Sequence, residues 1–493
     1  MLNKLKLLKK SDLYIIILGR VLQIIIMLFS MKLLTTLLSP KEIGNYYIIL
    51  SILAFFNLVL LNPPGMYFSR HILQWQKSKN LLNALFIFII WMIIVAIISI
   101  PILSIIYNVF NYNDKFDLYI LIIYIVSAII ISTLHRNVLY GTNILGYRKQ
   151  FVVYLISTLL LGLLFSTTII YFYYNYATGW LFGVVLSEFL MVYIIFKFFI
   201  QDNTLELVKI KVILTKEKIK HILTFAIPIA ITTFLMWGQN TAYRFIIDYK
   251  YSAEILGYIG VGLGVSSAIF GSIEAIIMQY FNPIFLKNIL DATKEQRAKA
   301  WNDMAKQIVP IYILVALFTI AMSEVLINIL VDKKFHNSYI YTMIGVGIEF
   351  FRVMTNLLNK ISQSEYKTTA TIKPYIFGFT ISLGVLSLFN FGHNYFMIPV
   401  ILAFAFFSVF VVMYINMKKI LTIKYEINIL KIFLFGLPFF SIYLIDISDA
   451  NILQNFLILS IYGIYFLITI YILNKGKSKY ENINYIYRHD KSK

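Results

Sequence analysis

The residues in this chain with the means to do chemistry are polar and ionisable groups set inside long apolar runs, where each is expensive to bury and so is a functional candidate. The tenth such run carries Glu349, Arg352, Asn356, Asn359 and Gln363 at intervals of three and four, a continuous stripe on one helical face. Such a stripe cannot face lipid: it lines a water-filled cavity or joins two helices. Asn240, Arg244 and Asp248 share another face, as cavity lining or as a structural Arg–Asp pair. Arg20, with Gln23 and Met27 on its face, lines a cavity or snorkels back to the headgroups. Lys32 lies near the outer end of the same run, and Arg136, with Ser132 and Tyr140, near an inner boundary. Glu188, Glu274 and Glu324 are isolated carboxyls in apolar runs. A carboxyl in such surroundings is open to proton exchange or is held protonated against a neighbouring carbonyl. With Asp248 and Glu349 they form the set of ion-coupling candidates.

The elements that must position these groups follow from composition. The chain has 493 residues, 60% hydrophobic and 13% charged, with mean hydropathy +0.80, too apolar for a fold with a wet surface. Apolar runs of about 20 residues, the length that crosses a hydrocarbon core, recur at 12–38, 42–66, 81–107, 117–141, 151–174, 178–200, 221–248, 253–281, 304–331, 337–358, 374–391, 395–417, 431–446 and 451–473. The expectation is an all-α polytopic membrane protein of about fourteen transmembrane helices. The basic start MLNKLKLLKK reads as a leader to the first span rather than a cleavable signal, because Arg20 interrupts the following run and no small-residue cleavage site appears.

Charge placement orients the chain. With the N-terminus cytoplasmic, most of the 43 Lys and Arg residues fall in inner loops and tails, while the outer loops hold Lys41, Lys115, Lys250, Lys333 and Lys334. That asymmetry obeys the positive-inside rule and places both termini in the cytoplasm. The net charge of +20 is therefore an orientation signal with some attraction to anionic lipid, and no soluble basic module exists to hold nucleic acid. There is no cysteine for disulfide or thiol chemistry. The six histidines are scattered without metal-ligand spacing, so no metal site and no cofactor are read. Gly476-Lys477-Ser478 has Tyr471 where an ATP-binding loop needs glycine, so ATP is not expected. The short outer loops leave a glycan polymerase or ligase little room for two soluble substrates.

A duplication organises the whole. Ser39 to Tyr46 (SPKEIGNY) and Ser252 to Tyr258 (SAEILGY) both place Gly five residues after Ser with a Tyr following. The repeat sets the first span against the seventh and Lys32 beside the equivalent of Arg244. Beyond the second copy, Gly257, Gly260, Gly264, Ser267, Gly271 and Glu274 share a face that lets another backbone approach. Residues 1–200 form one six-helix lobe and 221–425 its pseudo-symmetric partner. Between them 201–220 is an amphipathic cytoplasmic linker, 426–473 an added helix pair, and 474–493 a basic tail. Parallel repeats of this kind carry a transport site at their interface.

The chain resembles Wzx-type oligosaccharide flippases, in the polysaccharide-transporter branch of the superfamily that also holds the MATE exporters. The residues that carry the resemblance are LLTTLLSPKEIGNYY, Gly65 followed by Arg70, LYGTNILGYRKQ before the fifth span, RFIIDYKYSAEILGY, and the Asn282-Pro283 break after the eighth. The lipid II flippases are also similar, although the Arg-Asp pairing usual in their first span is missing here. The resemblance implies translocation of an undecaprenyl-diphosphate-linked sugar across a bacterial cytoplasmic membrane, with membrane lipid, a polysaccharide polymerase and chain-length proteins as partners. Guanidinium groups match phosphate oxygens bidentately, so Arg20, Lys32, Arg136, Arg244 and Arg352, with Asn240 and Asn356, are expected to form a cationic substrate cavity. Moving an anion outward across an inside-negative membrane is favourable by roughly 2.3 kcal/mol per charge per 100 mV, with H+ or Na+ exchange as an added drive. The alternatives are a MATE-like cation or drug exporter and a membrane glycan polymerase or ligase.

Overall fold

In the computed structural model, residues 10–200, 216–447 and 450–475 are described. The basic start, most of the amphipathic linker and the basic tail lie outside them. Among the described residues every regular element is helical, as the apolar runs require. Among the described residues twelve helices are long and apolar enough to cross a membrane, against about fourteen expected. The other two expected spans correspond to Tyr339–Ser364, whose polar stripe lowers its hydropathy, and to Ile429–Leu444, which is short and tightens into a 3-10 segment at Leu437.

Contacts divide the chain into two compact units, Met1–Gly260 with Ser382–Asn390, and Val261–Ile381 with Phe391–Lys493. Contact thus groups the seventh span with the first unit, whereas the repeat read from the sequence places the division at 201–220.

In the first unit, α1 (Lys10–Leu37) is followed by α2 (Pro40–Phe55), a π-helical turn (Phe56–Leu61) and α3 (Asn62–Lys77), which together form one continuous span. Then come α4 (Leu81–Val109), α5 (Leu118–Ile144), α6 (Arg148–Phe172) and α7 (Ala177–Ile200). The seventh span is α8 (Lys216–Trp237), a second π turn (Gly238–Ala242) and α9 (Tyr243–Lys250). The start of α2 follows from its residues. Ser39 caps it by accepting from the Glu42 amide, and Pro40 occupies a position that needs no N–H donor. The carbonyl left open beside the π turn finds a donor from another helix. Pro64 offers no N–H to the carbonyl of Leu60, and the Trp91 indole of α4 donates to that carbonyl at 3.0 Å.

The duplicated turns meet each other. A Cβ on Gly44 would lie 1.7 Å from the Ala253 carbonyl oxygen, and one on Gly257 would lie 2.1 Å from that of Pro40. Each copy's glycine packs on the other copy's first helical residue, a reciprocal contact that any side chain would break. Trp237 donates to the Ser51 carbonyl at 2.9 Å, which ties the seventh span to the second.

The second unit takes in α10 (Ala253–Ile289) from Val261 onward, α11 (Lys294–Ala321), α12 (Ser323–Leu330), α13 (Tyr339–Ser364) and α14 (Ile372–Leu388) up to Ile381. It continues with α15 (Met397–Ile420), α16 (Ile429–Gly436) and α17 (Ile452–Lys475). Helix α13 packs between α11 and α15. Trp301 of α11, fully buried, donates to the Leu357 carbonyl of α13 at 3.0 Å.

Candidate functional site

The predicted residues resolve into two polar centres, one in each unit, with several placed apart. In the first unit the π turn rotates Asn57 toward α5. There its Oδ1 accepts from Arg136 Nη2 at 2.8 Å and from Thr133 Oγ1 at 3.2 Å. The guanidinium of Arg136 is thereby held by an amide and not by a carboxylate. Around it lies a cavity of about 350 Å³ lined by Asn57, Asn62, Ser69, Arg70, Arg136, Asn137 and Tyr140, with Gly65 in its wall and no Asp or Glu among its lining residues.

Deeper in the same unit, Ser132 donates a short hydrogen bond to Glu188, His135 Nδ1 stands 3.9 Å from that carboxylate, and His135 Nε2 meets Thr158 Oγ1 at 3.1 Å. Glu188, isolated in sequence, therefore belongs to a polar string that crosses from α7 through α5 to α6.

Arg244 lies against the Tyr47 ring, 4.9 Å from its centroid, and reaches Ser51 Oγ at 3.3 Å. The Arg–Asp pair offered by their shared face does not form. Asp248, buried, is paired with Lys115 of the α4–α5 loop at 2.7 Å. Burial, reinforced by the Asp248 charge, raises the phenol of Tyr112 in that loop above its ordinary value. Asn240 sits half-buried in the second π turn. Arg20 donates to Gln23 at 2.8 Å and Gln23 to Met27 Sδ, so the face read from their spacing is present. Lys32 is half-buried further along α1.

The second unit gathers four predicted residues from two helices. Arg352 donates through Nε to Glu349 at 2.6 Å and through Nη1 to Glu274 at 2.8 Å, while Asn356 donates to the other oxygen of Glu274 at 2.9 Å. The guanidinium stands between two carboxylates, with side-chain exposures of 24%, 17% and 9% for Arg352, Glu274 and Glu349, and Lys360 lies near enough for the Glu274 charge to act on it. The acids of this centre are thus already answered by cations of the same unit. Glu324 stands apart, half-buried at the start of α12.

Sequence reasoning missed Asn57, Asn137, His135 and Lys115, and it used Arg70 only as a motif residue. Asn57 did carry a signal, an amide inside an apolar run six residues before a Pro-Pro pair. That it meets Arg136 depends on the π turn.

A family model described as "Polysaccharide biosynthesis protein" matches residues 33–340. No curated protein matches the chain. Among solved structures, the lipid II flippase MurJ in an inward closed conformation superposes with TM-score 0.64 at 15% identity, covering 95% of this chain and 99% of that one. A multidrug resistance MATE family transporter in an inward-facing conformation gives TM-score 0.58 at 10% identity, covering 81% and 94%. A eukaryotic MATE transporter gives 0.52 at 12% identity, covering 83% and 91%. At these identities the likeness concerns the fold.

Proposed function

Because the chain belongs to the polysaccharide biosynthesis protein family, we propose that it is a Wzx-type flippase. It moves an undecaprenyl-diphosphate-linked oligosaccharide from the inner to the outer leaflet of a bacterial cytoplasmic membrane by alternating access. The observation that carries this reading is the company kept by two arginines in apolar spans. Arg136 is held by an amide, and Arg244 by a hydroxyl and an aromatic face, with no carboxylate among the described residues in direct contact with either. A guanidinium with no carboxylate in direct contact keeps donors that phosphate oxygens can take up, and Glu188 acts on Arg136 only at longer range. Phosphate handling falls to Arg136 and Arg244, with Arg20 and Lys32 along the route.

The centre of Glu274, Glu349 and Arg352 brings two carboxylates into direct contact with an arginine, and the proposal assigns it to coupling with H+ or Na+. The membrane potential supplies the remaining drive. A cation exporter of MATE type would place its cargo at that acidic centre and have no use for an acid-free arginine cavity.

The test is flipping of a polyprenyl-diphosphate oligosaccharide by the purified protein in liposomes. Arg136→Ala and Arg244→Ala are each expected to slow it at least about tenfold, the loss that follows from one charge-assisted contact. Wild-type rates in both variants overturn the reading.

A further inference from the structure

Within the transport reading, on which it rests, we infer that Lys250 is a releasable latch: it holds the end of α14 against the end of α9 and lets go in each transport cycle. The starting point is a single ammonium group. Lys250 Nζ donates to the carbonyls of Leu386, Ser387 and Phe389 at 2.9, 2.5 and 3.1 Å. An ammonium has three hydrogens, and all three are spent on one helix end. The last carbonyls of a helix have no amide further along to take them, and they carry the negative pole of its dipole. A lysine answers both needs. A cap from the helix's own turn would travel with it. This one comes from 136 residues earlier in the chain, so it fastens two helices together.

Two joints meet at the end of α9, and they differ in kind. Asp248, its side chain 1% exposed, holds Lys115 in an ion pair, and taking one partner from such a pair is costly. Lys250, two residues on, is half-buried, and its acceptor residues Ser387 and Phe389 are exposed. Its partners are neutral carbonyls for which water is a ready substitute. The first joint is suited to staying closed and the second to opening and closing.

Helix α14 supplies the reason to open. Contact places it in the second unit up to Ile381, and Ser382–Asn390 in the first. Its start is anchored within the second unit, where Asn416 of α15 donates to the Ala370 carbonyl at 3.0 Å. A helix shared by two bodies that move in alternating access must flex or free one end. The exposed end, fastened by Lys250, is the one whose bonds water can replace.

The chain has no cysteine, so an introduced thiol is the only one present. Leu386 is 3% exposed, shielded while the latch is closed. Leu386→Cys in nanodiscs should react slowly with a maleimide. Adding Lys250→Met, which keeps the length of the side chain without its donors, should speed the reaction at least about tenfold. Lys250→Arg, which keeps the charge, should restore part of the protection. The second arm makes the latch permanent. Lys250→Cys with Ser387→Cys, joined by a bifunctional thiosulfonate, should flip a polyprenyl-diphosphate oligosaccharide in liposomes at least about tenfold more slowly when cross-linked, and recover on reduction. The same molecules are compared before and after reduction, so this arm stands even where Lys250→Met melts early. Labelling unchanged by Lys250→Met in a folded protein, or undiminished flipping while cross-linked, overturns the latch and leaves the transporter. A wild-type protein that does not flip removes the transporter reading itself.

Discussion

Arg136 and Arg352 are the same residue type in comparable helices, and the two units use them in opposite ways. Arg352 stands between Glu274 and Glu349 at 2.8 and 2.6 Å, with its charge already answered inside the fold. Among the described residues Arg136 hydrogen-bonds to neutral Asn57 and borders open space, with the Glu188 charge acting on it only at longer range. A half-buried guanidinium held by two carboxylates is costly to disturb, because removing one partner leaves a charge unanswered inside the fold. A guanidinium held by one amide contributes little to stability and keeps its donors for something else. The lesson is that an arginine in a span acquires its role from its neighbours.

The comparison breaks most visibly at Glu274. Glu274→Ala should lower stability by on the order of 3 kcal/mol, read as thermal unfolding in detergent, because Arg352 and Asn356 both lose their acceptor. If the variant melts with the wild type, the second centre does not hold the fold together and the contrast disappears. Gly44→Ala comes next and asks whether packing rivals charge. The new methyl meets the Ala253 carbonyl, so a loss of about 1–3 kcal/mol is expected. Gly271→Ala, where nothing lies within 4 Å, should leave the melting temperature where it was.

Arg136→Ala sharpens the other side of the comparison. It should cost transport about tenfold while changing stability by less than about 1 kcal/mol, and Arg136→Lys should recover only part of the rate, since the planar fork is gone. A stability loss as large as that of Glu274→Ala would show that the two arginines do the same job. A smaller effect than at Glu274 or Gly44 is expected at Trp91→Phe, which removes the donor to the Leu60 carbonyl. A loss of about 1 kcal/mol with reduced flipping would tie the π turn to the position of Asn57.

The apolar periodicity made the helical class and most of the spans legible, because each run must satisfy its backbone within itself once it enters hydrocarbon. The stripe on α13 was legible as well, since Glu349, Arg352 and Asn356 repeat at helical spacing and do lie together. The duplicated turns were visible as a repeat. Their reciprocal contact was not, because spacing says nothing of what a glycine touches.

What the sequence determined by itself was therefore one-dimensional: which stretches are helices, which residues share a face, and where a polar group had to find company. The tertiary structure decided the partners. It paired Asp248 with Lys115 across an otherwise remote loop rather than with Arg244 on its own face. It gave Arg352 two acids and Arg136 an amide. The physical reason is that a charge in low dielectric is governed by the few groups within about 4 Å, and in this chain those groups come largely from other helices.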